Sequence, residues 1–184
     1  MLKTILIVIG VIFGILVLSM VIFVTLVSSA NKPKGNHEQI LKSKQQSPQK
    51  ALIVYQPSIS GISSNMAHEI AKGLNDNGYE VTLNNPGDHL TANISEYSIV
   101  VFGSPVYAGK TSDAMTNYIS KIEDFSKSKF VLYSTGSIPN ELKELDVMEK
   151  LLNGASAYKK VKFNANAKSG NDKLAYDLGN ELSK

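Results

Sequence analysis

The residues of this chain best suited to chemistry lie in one short run, Ser58-Ile59-Ser60-Gly61-Ile62-Ser63. An apolar run, Ala51 to Tyr55, leads into it, and an amphipathic helical segment leads out of it from Ser64. A strand that feeds a loop of Ser and Gly at a helix N-terminus makes an anion site. The first helical N–H groups have no intrahelical acceptor, and the helix dipole favours negative charge there. Gly61 lets the backbone approach a ligand closely, while Ser58, Ser60 and Ser63 add donors that carry no charge. Such a loop suits a phosphate monoester held by neutral hydrogen bonds. The same residues also suit a serine-rich cap on an ordinary crossover helix, so other loops must decide.

Two more segments share this character. Gly103-Ser104-Pro105-Val106-Tyr107-Ala108-Gly109 follows the apolar run Ile99 to Phe102, and Ser134-Thr135-Gly136-Ser137 follows Phe130 to Tyr133. Both are small, hydroxylated and able to present backbone N–H groups. None of the three segments offers a catalytic triad, a carboxylate pair or a metal cluster. His68 and His89 lack a matching acid or second His nearby in sequence and read as structural or solvated. Asp113 reads as a first-turn acid favoured by the helix dipole. Gly109-Lys110-Thr111 invites comparison with a nucleotide-triphosphatase loop, but that loop needs four residues before its Gly-Lys-Thr. Here Gly103 leaves five and the correctly spaced position is Ser104, so the comparison fails.

The elements that must position these loops follow from hydrophobic periodicity. Leu52–Tyr55, Ile99–Phe102 and Phe130–Tyr133 are continuous apolar runs, as expected of strands covered on both faces. Tyr79 to Asn84 and Lys160 to Asn164 alternate, as expected of edges. Helical periods lie between them: Ile62, Met66, Ile70 and Leu74; then Met115, Tyr118, Ile119, Ile122 and Phe125. A third helix opens at Pro139 and carries Leu142, Leu145, Met148 and Leu152; Leu174, Leu178 and Leu182 mark the last. Leu90 and Ile94 suggest one short helix between Asn85 and Glu96. This alternation predicts an α/β doubly wound parallel sheet of five strands in the order 2-1-3-4-5. Its switch point lies between strands one and three, where ligands bind beyond the carboxyl ends.

Before this domain, residues 5–27 form 23 residues without a charge, roughly 34 Å of helix, enough to cross a hydrocarbon core. The apolar run exceeds the 7–15 residues of a cleavable signal, which predicts a retained single-pass anchor over 1–30. Residues 31–50 change to Lys, Gln, Ser, Asn and Pro, and read as a flexible polar linker. Five lysines against Glu38 make the linker basic, whereas residues 51–184 hold 13 lysines and 15 acids. The domain thus lacks the electrostatic footprint of a nucleic-acid binder. The lysine excess after the span predicts a cytoplasmic domain at the cell membrane. Without cysteine, disulfides, thiol catalysis and cysteine-ligated metals are excluded.

Ser58 to Ser63 resembles the flavodoxin phosphate loop, Thr/Ser-x-Thr/Ser-Gly-x-Thr/Ser, at every specified position. Gly103 to Gly109 is similar to the Gly-Ser-Pro-x-Tyr-x-Gly segment of flavodoxin-like reductases. The resemblance covers residues 51–184 and implies FMN. Ser58, Ile59, Ser60, Gly61, Ile62 and Ser63 would then cradle its phosphate. Ser104, Pro105, Val106, Tyr107, Ala108 and Gly109 would border the isoalloxazine, with Tyr107 against the ring. Thr135 and Gly136 would close the other side. The loop after the fourth strand carries no aromatic, and the domain is less acidic than many flavodoxin shuttles. A ring lined by one aromatic suits exchange with a bound substrate. The implied function is membrane-anchored electron transfer, with the bilayer contacted through residues 5–27. The alternatives are an NAD(P)H, quinone or porphyrin oxidoreductase, and a flavin-less membrane-tethered binding module. No metal and no nucleic acid is expected.

Overall fold

The three continuous apolar runs form the centre of the sheet. A computed structural model describes residues 2–138, 141–167 and 169–184. Its elements in chain order are α1 (Leu2–Asn31), β1 (Gln39–Leu41), β2 (Lys50–Tyr55), α2 (Ile62–Asp76), β3 (Glu80–Asn84) and β4 (Ile99–Pro105). They continue with α3 (Asp113–Ile119), β5 (Lys129–Gly136), α4 (Lys143–Lys150), β6 (Ala157–Asn164) and α5 (Asn171–Leu182). The sheet order is β1-β3-β2-β4-β5-β6, and every pair except β1–β3 is parallel. β3-β2-β4-β5-β6 is the doubly wound order expected from the strand patterns.

The sheet has six strands rather than five. Part of the polar stretch read as flexible forms β1, which runs antiparallel to β3 with Gln39 opposite Leu83 and Leu41 opposite Val81. Three residues with one apolar pair, Ile40-Leu41, carry too little periodicity to read as a strand. The pairing is a tertiary effect: β3 has an open edge, and an open edge accepts a neighbouring chain. Asn75 holds the following turn by donating to the carbonyls of Leu41 and Lys42 at 3.2 and 3.1 Å.

Helices cover both faces. Ala51, Ile53 and Tyr55 pack with α2 and α5 on one side. Leu52, Val54, Val100 and Phe102 pack with α3 and α4 on the other. Gly73 and Gly179 allow α2 and α5 to meet closely, since a Cβ on Gly179 would lie 2.3 Å from the Ile70 carbonyl oxygen.

Several helix expectations need correction. α3 ends at Ile119, and Ile122 and Phe125 are buried in the irregular chain beyond it. Asn85 to Glu96 forms no helix; Ile94 is simply a buried anchor. α5 turns Ala175, Leu178 and Leu182 inward and leaves Leu174 exposed, because Gly179 and Ala175 allow the closer approach. α4 begins at Lys143 with Leu142 as its cap, and Pro139 lies outside the described residues. α1 is long and apolar enough to cross a membrane, about 45 Å over its 30 residues, and of these only Ala30 is buried.

Candidate functional site

The three hydroxylated segments meet at the carboxyl ends of β2, β4 and β5, where the parallel register places them; Ser134, Thr135 and Gly136, expected in a loop, are the last residues of β5 itself. The 58–63 loop turns tightly, with the Gly61 N–H donating to the Ser58 carbonyl at 3.0 Å. Gly61 caps α2 at φ +77°, a left-handed conformation that favours glycine, and the space where a Cβ would stand is open. The Ser58 hydroxyl accepts the Ser63 N–H at 3.1 Å and lies 3.3 Å from the Ser60 hydroxyl. Among the described residues, no acceptor meets the N–H groups of Ser60, Ile62 and Ser64. The Ser63 hydroxyl is fully buried and has no partner among the described residues.

Tyr133, read in sequence only as part of a strand, lies beneath this loop. Its hydroxyl donates to the Ser63 carbonyl at 2.8 Å, and burial pushes its pKa up, which keeps it a donor. Its ring occupies the place of a side chain on Gly103, where a Cβ would lie 2.0 Å from Cζ. A tyrosine among apolar neighbours gives no sign in sequence of what its hydroxyl will reach.

The 103–109 segment divides into two parts with different tasks. Ser104 and Pro105 belong to the buried end of β4. The Ser104 hydroxyl accepts the Ser112 N–H at 2.9 Å and donates to the Pro105 carbonyl, so its bonds are spent on ordering the loop into α3. Tyr107 to Lys110 form a tight hairpin, each end bonded to the other at 3.0 and 3.1 Å. Its central residues Ala108 and Gly109 both have positive φ, +50° and +76°. That conformation costs an L-residue such as Ala108 roughly 1–2 kcal/mol. The hairpin turns Tyr107 onto the first loop, where its hydroxyl accepts the Ile59 N–H at 2.8 Å.

The third loop joins through backbone. The Val106 N–H donates to the Thr135 carbonyl at 2.9 Å, and a Cβ on Gly136 would lie 3.4 Å from the Val106 Cβ. The same absent Cβ would lie 3.1 Å from Cε of Lys162, so Gly136 is needed for close approach. Lys162 pairs with Glu144 at 2.8 Å, both side chains only 3% exposed. Ser134 donates to the same carboxylate at 2.7 Å. Burial pushes the Glu144 carboxyl up, but the bonds from Lys162 and Ser134, together with the lysine charge, outweigh it and hold it below its ordinary value. This buried pair joins β6 to α4 under the third loop. It was not legible in sequence, because Lys162 reads as the polar side of an edge strand.

Two clefts open at this end of the sheet, one beside the first loop and one beside the hairpin. One of about 350 Å³ lies between Ser60, Gly61 and Asn65 and the start of α5 at Gly170 to Asp172. The other, about 260 Å³, lies between Gly109 to Thr111 and Glu144 with Val147. A larger polar cavity of about 490 Å³ lies among Thr91 to Ser95 and Glu123 to Lys127, just before β4 and β5 at the opposite end of the sheet, away from every hydroxylated loop. His68 is structural: its ring nitrogens meet the Ser64 carbonyl and the Gln39 side chain.

Residues 52–165 match the family model of the flavodoxin domain, more than half of the chain. The chain belongs to the flavodoxin family. A Streptococcus pneumoniae TIGR4 flavodoxin superposes with a TM-score of 0.62 at 20% identity, covering 73% of this chain and 97% of its own. A Megasphaera elsdenii flavodoxin in its two-electron reduced form gives 0.61 at 16%, covering 72% and 98%. Rubredoxin:oxygen oxidoreductase from Desulfovibrio gigas gives 0.58 at 16%, covering 75% of this chain but 36% of that protein. At these identities the likeness establishes the fold. No curated protein matches the sequence significantly.

Proposed function

We propose that this flavodoxin-domain protein binds FMN and transfers electrons while anchored in a membrane by α1. The observation that carries the reading is the buried Ser63 hydroxyl at the N-terminus of α2, which has no partner among the described residues. An unpaired buried hydroxyl costs about 1–3 kcal/mol, and a phosphate oxygen would satisfy it. The unpaired N–H groups of Ser60, Ile62 and Ser64 and the open space at Gly61 fit the same group. Ser58, Ile59, Ser60, Gly61, Ile62 and Ser63 hold the phosphate in this reading. Tyr107, Val106, Ala108 and Gly109, with Thr135 and Gly136, border the ring, while Ser104 and Pro105 support that border from within. When bound, FMN supplies reversible electron exchange, and the protein supplies position and electrostatics.

The anchor part of the proposal rests on the length and apolarity of α1 and the basic residues after it. That lysine excess favours a cytoplasmic domain, within reach of NAD(P)H or of a quinone in the bilayer. The deciding experiment is purification of the full chain in detergent, followed by denaturation. Release of stoichiometric FMN from a yellow protein supports the reading. A colourless protein that takes up no added FMN leaves a flavin-less tethered binding module.

A further inference from the structure

The anchor leaves the domain at the end that carries the candidate site. β1 runs antiparallel to β3, starting opposite Leu83 near the carboxyl end of that strand. The chain therefore arrives from the membrane helix at the carboxyl ends of the parallel strands. Gln56, directly after β2 and two residues before Ser58, is fully buried. Its side-chain amide donates to the carbonyls of Ala30, in the last turn of α1, and Lys32. At the neighbouring strand end, Asn84 accepts the His37 N–H at 3.0 Å and donates to Asn36 at 2.8 Å. Lys34 folds back to the Ser29 carbonyl at 2.9 Å. A free twenty-residue tether would let the domain turn in any direction; this one is pinned along its first seven residues.

The surface at that end matches what a lipid interface binds. Ile59 and Ile138, in the loops after β2 and β5, are 54% and 61% exposed. Lys110 stands at the exposed hairpin, and Lys32 and Lys34 are exposed at the base of α1. Apolar side chains among lysines are the composition of surfaces that insert shallowly between anionic headgroups.

We propose that this site-bearing end is the face the protein lays against the membrane surface, with Ile59 and Ile138 in the headgroup layer and the lysines over anionic lipid. The proposal rests on the anchor reading above, not on flavin. A partner of the site then reaches it through the headgroup layer rather than from open water.

The absence of cysteine makes the test direct. Full chains carrying Ile138→Cys or Ser126→Cys, the latter at the opposite end of the sheet, are labelled with a fluorophore. They are reconstituted in phosphatidylcholine–phosphatidylglycerol vesicles containing headgroup-labelled nitroxide lipid. The expected result is several-fold stronger quenching at 138 than at 126, reduced when Lys32, Lys34 and Lys110 are all changed to Gln. Equal quenching at both positions in a chain that resists carbonate washing overturns this proposal alone. A chain that carbonate removes overturns the anchor as well. An asymmetry found in a chain that binds no flavin upholds this proposal and leaves the cofactor assignment as the failure.

Discussion

The Ile59 N–H donates to the Tyr107 hydroxyl at 2.8 Å, so the first and second loops of the site are joined by one direct bond. A continuous path therefore runs from the helix cap at Gly61 through Tyr107 and Val106 to the Thr135 carbonyl. These bonds make the loops one connected unit.

Tyr107→Phe keeps the ring and removes that bond. The flavin-free chain should lose about 0.5–1.5 kcal/mol of stability, the net value of one hydrogen bond. Amide exchange at Ile59 should accelerate while exchange in β4 does not. Unchanged protection of Ile59 would show that the bond does not order the loop.

Ser63→Ala separates a phosphate site from a helix cap by the sign of its effects. The hydroxyl has no partner among the described residues, so its loss should leave the flavin-free chain as stable as before, or more so. FMN affinity should fall about ten- to a hundredfold, equivalent to about 1.5–3 kcal/mol. Riboflavin, which lacks the phosphate, should bind weakly and equally to both forms. Parallel losses for both flavins would return the loop to a capping role.

Lys162→Met strands the Glu144 carboxylate in a buried place and should cost about 3–5 kcal/mol. Glu144→Leu with Lys162→Met should cost far less, because no unpaired charge remains. The folded Glu144 pKa lies below its ordinary value, so its contribution is present above the ordinary carboxylate range. It is lost as pH falls through the lowered pKa. Native and double-variant chains should therefore converge in stability under acid, as followed by urea midpoints; a constant gap would contradict the pairing.

A soluble fragment starting at residue 36 should unfold at higher temperature than one starting at Ala51. The longer fragment keeps β1 and the bonds that Asn75 makes to it. Each such bond is worth about 0.5–1.5 kcal/mol, and its loss opens the edge of β3. Equal melting temperatures would mean that β1 contributes nothing to the fold.

Local signals were enough to read the doubly wound order of five of the strands, the helix-initiating loop at Ser58 to Ser63 and the long apolar N-terminal helix. Runs covered on both faces are continuously apolar, and a glycine among serines marks a strand-to-helix turn. What a hydroxyl bonds to was decided only in three dimensions. Ser104 and Ser63 look alike as loop serines, yet one is fully engaged with Ser112 and Pro105 and the other is buried without a partner among the described residues. β1, the Gln56 contact with the end of α1 and the Glu144–Lys162 pair likewise join residues distant in sequence. Such contacts leave no period or motif in the chain, because each partner alone is an ordinary polar residue. Their free energy arises when folding brings the two together and excludes water from between them.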